Sequence, residues 1–370
     1  MNLTCVVGAR PNFMKVAPIL EAAASRPGLQ TRLVHTGQHY DERMSTLFFQ
    51  ELNMPQPDVY LGVGSGGHAS QTARVMLEFD GALNQSPTDV VLVVGDVNST
   101  LACALVAVKR GIRVAHVEAG LRSGDRTMPE EINRILTDQI SDYLFTTERD
   151  AADNLIREGI PAERIHFVGN VMIDTLFQHR ERARQSDILS RLGLTPRTYA
   201  VCTLHRPSNV DSRPAAENTL QAVRCVAERL RVVLPLHPRT LAKLGEFHIL
   251  DELMNIPDVQ VVEPFGYLDF LALNDGARLV FTDSGGVQEE TTALGVPCIT
   301  FRENTERPIT VTEGTNQLVG VQVAAVAKAV DDVLLGKFKG GRVPELWDGQ
   351  SAGRIVDILH SSAGSGCGTV

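Results

Sequence analysis

The sequence predicts an α/β protein with two doubly wound parallel sheets, and three observations support this. Short strand-like runs of apolar and β-branched residues alternate with helix-length amphipathic segments along most of the 370 residues. Such alternation is typical of βαβ units that build a parallel sheet. Between about residues 174 and 196 the chain is charged and helical, and the alternation then starts again. Most predicted strands in both halves also end in a turn residue followed by a polar residue.

The first half, residues 1–175, is predicted to form a Rossmann-like domain. Its strands are expected at residues 3–7, 32–36, 90–94, 113–117, 143–146 and 165–168. Helices are expected at residues 11–24, 40–52 and 70–83, the last because its apolar positions lie three and four apart. The Pro- and Gly-rich segment 55–67 is expected to be a loop.

The second half, residues 190–352, is predicted to form another Rossmann-like domain. Its strands are expected at residues 200–203, 232–236, 259–262, 279–282 and 297–300, with a helix at 287–294. Residues 353–370 are expected to form a helix and a disordered tail, because the segment from Ser361 is rich in Gly and Ser. An active-site cleft is expected between the two domains, facing the carboxyl ends of both sheets.

Composition limits the classes of partner. The formal net charge is -9 and the basic residues are scattered, so neither nucleic acid nor an anionic membrane is an expected partner. A strand-like run begins at Asn2 and no apolar stretch reaches membrane-spanning length, so a cytoplasmic protein is expected. The six cysteines include no CxxC pair, and no metal site is expected.

Three acidic positions in the first half indicate chemistry. The apolar runs that end at Asp96 and at Glu118 both finish abruptly in a carboxylate, and Glu130 follows Pro129 at the start of a predicted helix. Side chains just past the carboxyl ends of parallel strands converge on one crevice. Carboxylates with tuned pKa values can remove a proton from carbon and return one. The pattern therefore predicts acid/base catalysis at a carbon atom.

Each of these residues also has a purely structural alternative. Asp96 could be the N-cap of the helix that follows it, and Glu130 could pair with Arg134 one turn later. Glu118 is followed by Ala-Gly, where it caps nothing obvious, which favours a functional role. His205 could act as a proton carrier near neutral pH, or it could be structural.

The second half contains a predicted diphosphate site. Asp283-Ser284-Gly285-Gly286 lies between a predicted strand and a predicted helix. Glycines permit close backbone approach, and the free N–H groups of a helix start favour phosphate. Glu290 is placed to accept hydrogen bonds from ribose hydroxyls. The alternative is an ordinary strand-to-helix turn with Asp283 or Ser284 as its N-cap.

Several cations could serve an anionic ligand. Arg10 follows the first strand, Lys15 lies on the first helix, and Arg307 lies beyond the last predicted strand. Solvent-exposed surface charge is the alternative for each of them. The first strand is followed by Gly8-Ala9-Arg10-Pro11 instead of GxGxxG, which argues against a dinucleotide cofactor.

The chain resembles the non-hydrolysing UDP-N-acetylglucosamine 2-epimerases from about residue 3 to residue 355. The matching motifs are Gly8-Ala9-Arg10-Pro11-Asn12-Phe13-Met14-Lys15, Gly37-Gln38-His39, Gly95-Asp96, His116-Val117-Glu118-Ala119-Gly120-Leu121-Arg122, Pro129-Glu130-Glu131-Ile132-Asn133-Arg134, Thr203-Leu204-His205-Arg206, Asp283-Ser284-Gly285-Gly286-Val287-Gln288-Glu289-Glu290 and Glu306-Arg307-Pro308. The resemblance implies a GT-B architecture, a UDP-sugar substrate, no cofactor, no metal and a homodimer.

The resemblance also implies a reaction and its residues. UDP-GlcNAc and UDP-ManNAc would interconvert through loss of UDP to 2-acetamidoglucal and re-addition of UDP, with inversion at C2. The implied acid/base residues are Asp96, Glu118 and Glu130, assisted by His205, without an assignment of protons to individual carboxylates. The implied contacts to UDP and sugar are Arg10, Lys15, His39, Arg134, His237, Ser284, Gly285, Gly286, Glu290 and Arg307.

Three other enzymatic functions are compatible with the sequence. One is a 2-epimerase of a UDP-2,3-diacetamido sugar or its uronic acid, for which Arg122 or Arg126 could supply a cation near C6. Another is a hydrolysing 2-epimerase that releases ManNAc and UDP. A GT-B glycosyltransferase would need one base, so acidic groups from three segments argue against it.

Overall fold

The protein is divided into two compact units. The computed structural model describes residues 1–38 and 42–364, and for Arg10, residues 42–46 and residues 363–364 it describes the backbone only. The first unit contains Met1–Gln178 and the chain from Glu345 onward, and the second contains His179–Pro344. The predicted end of the second domain at residue 352 therefore lies inside the first unit. No helix among the described residues is both long enough and apolar enough to span a bilayer.

The first unit is built on a sheet of seven parallel strands. The strands are β1 (Asn2–Val7), β2 (Gln30–His35), β3 (Val59–Tyr60), β4 (Val90–Val94), β5 (Arg113–Ala119), β6 (Tyr143–Thr146) and β7 (Ile165–Phe167). Its helices are α1 (Arg10–Ala24), α2 (Glu42–Glu51), α3 (His68–Leu83), α4 (Asn98–Lys109), α5 (Pro129–Ile140), α6 (Arg149–Arg157) and the first part of α7 (Val171–Arg184), and a 3-10 turn lies at Ala162–Arg164.

The second unit is built on a sheet of six parallel strands. These are β8 (Tyr199–Thr203), β9 (Arg231–Pro235), β10 (Val259–Val262), β11 (Leu279–Thr282), β12 (Cys298–Thr300) and β13 (Asn316–Leu318). The helices are α8 (Ile188–Arg191), α9 (Pro207–Val210), α10 (Arg213–Ala227), α11 (Pro238–Glu246), α12 (Leu250–Met254), α13 (Tyr267–Gly276), α14 (Gly285–Leu294), α15 (Pro308–Thr312) and α16 (Val323–Leu334). The last helix, α17 (Ser351–Gly364), belongs to the first unit.

Both sheets have the same strand order. The first runs β3-β2-β1-β4-β5-β6-β7 and the second runs β10-β9-β8-β11-β12-β13. In each sheet the order reverses between the first strand of the unit and the fourth, at β1/β4 and at β8/β11. Ligands of open parallel sheets bind beside this reversal, outside the carboxyl ends of the strands. The predicted pair of Rossmann-like parallel sheets is confirmed.

Two strands were not expected from the sequence. Both β3 and β13 are edge strands of two or three residues, and β3 lies within the Pro- and Gly-rich segment that predicts a loop. Strands this short carry too little apolar alternation to be recognised without their neighbours. At the C-terminus α17 continues to Gly364, so the disorder predicted from Ser361 is wrong for residues 361–364, and residues 365–370 lie outside the described chain.

Each unit has its own core. In the first, Val6, Val34, Val91 and Val93 of the sheet pack with Phe79 of α3. In the second, a larger cluster of strand and helix residues packs together, and all its members lie between Ala200 and Val333. The strand β4 is buried along its whole length, which explains its continuous apolar sequence, because a parallel strand is covered on both faces.

Candidate functional site

The carboxyl ends of β4 and β5 form the first part of the candidate site. Gly95, directly after β4, has a φ of +67°, and a β-carbon there would lie 3.1 Å from Lys15 Nζ and 3.3 Å from Glu118 Oε2. Glycine alone combines this backbone conformation with so little volume. Its small size lets Lys15 from α1 and Glu118 from β5 meet directly beside the end of β4.

Glu118 has an unusual backbone for a residue in a strand. Its φ is +72°, and the pairing of β5 with β6 shifts register between Val117 and Ala119. A positive φ at a glutamate is rare and stores strain, which occurs most often at functional sites. The side chain is buried and forms an ion pair with the buried Lys15. The unusual backbone conformation of Glu118 therefore directs its carboxylate toward Lys15, which lies on α1.

Asp96 lies beside the first turns of α5. Its carboxylate forms an ion pair with Arg134 at 2.7 Å, and its backbone carbonyl accepts a hydrogen bond from the Asn133 amide. The N-cap of α4 is Val97, so the structural alternative of Asp96 as a helix cap is wrong. The side chain stays 27 % exposed, so it can still reach a ligand.

The start of α5 contributes two glutamates with different surroundings. Glu130 lies in the first turn and is half-buried. Glu131 is buried, accepts hydrogen bonds from the backbone N–H groups of Ser123 and Gly124, and pairs with Arg134. Glu131 therefore holds the loop before α5, while Arg134 joins that loop to Asp96.

Two buried residues of this unit were missed by the sequence reasoning. His116 lies inside β5, where Nδ1 is 2.7 Å from Asp138 Oδ1 and Nε2 is 2.9 Å from the Gly95 carbonyl oxygen. Asp138 lies on α5 and both side chains are fully buried. A histidine inside an otherwise apolar strand was the available signal, because a buried polar group needs a partner.

In the second unit, Asp283 organises the end of β8. Its carboxylate accepts hydrogen bonds from the backbone N–H groups of His205 and Arg206 and from the Asn209 amide. The His205 ring nitrogen Nδ1 lies 3.1 Å from the same carboxylate. Burial alone would raise the pKa of Asp283, but the hydrogen bonds from His205 and its neighbours outweigh burial and hold that pKa below its ordinary value.

The backbone of His205 is fixed, whereas its imidazole ring is exposed to solvent. The side chain is 52 % exposed although its backbone N–H is anchored to the buried Asp283. An exposed imidazole on a fixed backbone can carry a proton to or from a ligand.

The start of α14 is surrounded by arginines. Ser284 occupies the N-cap position, as the structural alternative expected, but its side chain makes no capping hydrogen bond. A β-carbon at Gly285 would lie 2.3 Å from the Arg307 guanidinium and 2.8 Å from Glu306 Oε1. Gly286 occupies the next position of the same first turn. The first residue of this helix therefore lies against a charged cluster.

Glu306 is the centre of that cluster. It is buried and pairs with Arg206, Arg302 and Arg307. Burial would raise the pKa of Glu306, but the charges of Arg307, Arg206 and Arg302 hold it well below its ordinary value. Arg307 also pairs with Glu289 at 2.9 Å. Three guanidinium groups around one carboxylate leave local positive charge, which suits an anionic ligand.

Glu290, one turn inside α14, is buried beside Glu289 and Tyr267. Burial and the charge of Glu289 raise its pKa to about 8, although the hydrogen bond with the Tyr267 hydroxyl lowers it. Glu290 is therefore a protonated carboxyl group at neutral pH, which can donate as well as accept a hydrogen bond.

Arg10, His39 and His237 are the remaining predicted contact residues. The structure describes only the backbone of Arg10, which begins α1, and His39 lies outside the described residues. His237 is the N-cap of α11, and its ring nitrogen Nδ1 accepts a hydrogen bond from the backbone N–H of Arg239.

Sequence comparison identifies relatives of this chain. The family model described as UDP-N-acetylglucosamine 2-epimerase matches residues 21–360. The UDP-N-acetylglucosamine 2-epimerase of Methanocaldococcus jannaschii is 43 % identical over 97 % of this chain and 99 % of its own length. The UDP-2,3-diacetamido-2,3-dideoxy-D-glucuronate 2-epimerase of Pseudomonas aeruginosa is 40 % identical over 97 % of this chain and 99 % of its own length.

Solved structures of relatives share the fold. A crystal structure of the Methanocaldococcus jannaschii enzyme in complex with UDP-GlcNAc and UDP has a TM-score of 0.92 and covers 98 % of this chain and 100 % of that chain. The Neisseria meningitidis enzyme bound to UDP-GlcNAc has a TM-score of 0.89 at 26 % identity, over 98 % and 100 % of the two chains. The chain thus belongs to the UDP-N-acetylglucosamine 2-epimerase family.

Proposed function

We propose that this protein interconverts UDP-GlcNAc and UDP-ManNAc by inverting the configuration at C2, without hydrolysis of the product. Membership of the family supports a 2-epimerase, and a relative 43 % identical has been crystallised with UDP-GlcNAc and UDP. The proposed ligand is therefore a UDP-sugar. The homodimer that the family resemblance implies is proposed as well.

The proposed reaction is an elimination followed by an addition. A carboxylate takes the C2 proton while the C1–O bond breaks, its electron pair leaves with UDP, and a C1–C2 double bond forms. UDP then adds back to C1 as a proton is delivered to the opposite face of C2. The atoms balance without an external oxidant or reductant, and the configuration of C2 is inverted.

The observation that carries this proposal is the pair of ion-paired carboxylates at the ends of neighbouring strands. Asp96 follows β4 and pairs with Arg134, and Glu118 ends β5 and pairs with Lys15. A carboxylate paired with a cation is ionised and can accept a proton. Glu130 and His205 complete the proposed acid/base group.

The proposed UDP site is the start of α14 with its arginines. Charge develops on the diphosphate as it leaves C1, so cations and N–H groups directed at it lower the barrier. Gly285 and Gly286 are proposed to supply the N–H groups, and Arg307 supplies the nearest guanidinium. The Ser284 N–H already donates to Thr282 Oγ1, so Ser284 is proposed to contact the ligand through its side chain. Glu290 is proposed to bind ribose hydroxyls, while Arg10, His39 and His237 are proposed as further contacts.

A sister substrate is the second candidate. The Pseudomonas aeruginosa relative, whose name specifies a UDP-diacetamido-glucuronate, is 40 % identical. A carboxylate at C6 would need a cation, and Arg122 is already paired with Asp138 and Glu158. Arg126 is exposed in the loop before Glu130. It is therefore the first residue to substitute in a test for a substrate with a C6 carboxylate.

One NMR experiment tests these alternatives. The purified protein is incubated with UDP-GlcNAc in D₂O, and we expect deuterium at C2 and a mixture with UDP-ManNAc. Free ManNAc and UDP would identify a hydrolysing enzyme. No exchange with UDP-GlcNAc, but exchange with the diacetamido uronate, would identify the sister substrate and reject our proposal.

A further inference from the structure

His116 and Asp138 lie directly beneath the two proposed catalytic strand ends. The Gly95 carbonyl can only accept a hydrogen bond, so Nε2 of His116 must carry a proton and donate it there. The other ring nitrogen, Nδ1, lies 2.7 Å from Asp138 Oδ1, within hydrogen-bond distance. The imidazole thus connects α5 to the residue that precedes Asp96, and its orientation is fixed at both nitrogens.

Asp138 holds the chain on both sides of Glu118. One carboxylate oxygen contacts His116, two residues before Glu118, and the other accepts the N–H of Gly120, two residues after it. Arg122 pairs with that second oxygen and also with Glu158 on α6. The strained backbone of Glu118 therefore lies between two points attached to one buried carboxylate.

From this geometry we propose that His116 and Asp138 are positioning residues that set the placement of Asp96 and Glu118. The inference rests on the proposed acid/base function of those two carboxylates. Neither positioning residue touches substrate, because both are fully buried. Their contribution is to keep the Gly95 carbonyl and the Glu118 backbone in place while charge moves between sugar and carboxylates. A misplacement of about 1 Å can cost about 10²-fold in rate.

Two substitutions at one position separate positioning from packing. A glutamine amide can occupy the place of Nε2 and still donate to the Gly95 carbonyl, whereas an asparagine amide replaces Nδ1 and reaches only Asp138. We expect His116→Gln to keep kcat within roughly tenfold of wild type and His116→Asn to lose about 10²-fold, with KM unchanged in both. UDP affinity should stay at the wild-type value, because neither His116 nor Asp138 is among the proposed UDP contacts.

A matched control is available in the same unit. Asp174 is also a buried carboxylate, but it accepts the N–H of Ala352 at the start of α17. Asp174→Asn should lower the melting temperature and leave kcat unchanged. Should His116→Asn fail to fold, Asp138→Asn replaces it, since it keeps the side-chain volume and removes the charge that holds His116 and Gly120.

The outcomes distinguish failure of this inference from failure of the proposed function. If wild type shows no deuterium exchange with either UDP-sugar, the proposed function is wrong. If wild type exchanges but His116→Gln and His116→Asn have equal kcat, or if Asp138→Asn keeps wild-type kcat, the positioning role is rejected. A kcat loss in His116→Asn that exceeds the loss in Asp174→Asn, with both melting temperatures measured, supports it.

Discussion

At the scale of single residues, the candidate site combines backbone strain with buried charge. Glu118 holds a positive φ, a conformation that costs about 1–3 kcal/mol for a residue other than glycine. The ion pair with Lys15 and the hydrogen bonds at neighbouring positions offset that cost. A glutamate that served only packing would not need this backbone, which supports the chemical role proposed for Glu118.

The acid/base assignment predicts that Asp96→Asn and Glu118→Gln abolish turnover while UDP binding survives. Each substitution keeps the side-chain volume and removes the ability to accept a proton from carbon, which is worth about 10²–10⁴-fold in rate. Turnover is measured by proton NMR and UDP binding by calorimetry. Near-normal rates in both variants would show that neither carboxylate acts as the acid or the base.

Glu290 predicts a change in stability with pH. Its folded-state pKa of about 8 lies above the unfolded value of about 4.3. The folded protein thus keeps a proton that the unfolded chain releases, so this contribution is complete below about pH 4.3 and is lost as pH rises through 8. In urea unfolding from pH 5 to 8, wild type should lose up to about 1.4 kcal/mol more per pH unit than Glu290→Gln. Identical slopes for the two proteins would contradict the buried, protonated carboxyl.

At the scale of elements, the end of β5 is shaped by close contact with α6. Gly120 has a φ of +79°, and a β-carbon there would lie 2.2 Å from the Ala151 carbonyl oxygen. Gly124, four residues later, has a φ of +74° with nothing within 4 Å of such an atom. Both glycines have a left-handed backbone, but only Gly120 has other atoms in the space that a β-carbon would fill.

This pair predicts two different costs of substitution. Gly124→Ala should lose about 1–2 kcal/mol, the cost of a left-handed backbone alone. Gly120→Ala should lose clearly more, because β5 or α6 must also move, and kcat should fall with it since Glu118 moves too. Chemical denaturation and turnover assays measure both effects. Equal losses of stability in the two variants would show that α6 moves aside for the new β-carbon at no cost in free energy.

At the scale of the whole molecule, the C-terminal segment completes the first unit. Trp347 is buried and donates a hydrogen bond from Nε1 to the Thr147 carbonyl, and α17 packs against α1. Asp174 accepts the N–H of Ala352 at the start of α17. The chain thus builds its first unit from both of its ends, with the second unit inserted between them in sequence.

The buried face of α17 should therefore support the first unit. Ile355→Ala removes a fully buried side chain and should cost about 2–5 kcal/mol. Asp357→Ala on the same helix removes a solvent-exposed ion pair with Arg26, which is worth at most about 1 kcal/mol. Calorimetric unfolding compares the two variants. A loss below 1 kcal/mol for Ile355→Ala would indicate that α17 is dispensable.

Local patterning in the sequence predicted much of this protein. Strands at residues 90–94, 143–146, 259–262 and 279–282 have the predicted bounds. In β4 and β11 the reason is that a buried parallel strand is apolar along most of its length. The polar residues after β4 and β11 lie at the carboxyl edge of their sheets because chain direction alone puts them there. The structure then shows that strand order reverses at these two strands.

Only the tertiary structure decided which partners those residues have. The ion pair of Glu118 joins it to Lys15, 103 positions away in sequence, and His116 contacts Asp138 across 22 positions. Nor does the sequence show that the segment from Glu345 returns to the first unit. Periodicity reports whether a side chain faces the core, whereas pairing between distant residues depends on strand order and helix packing, which no local pattern encodes.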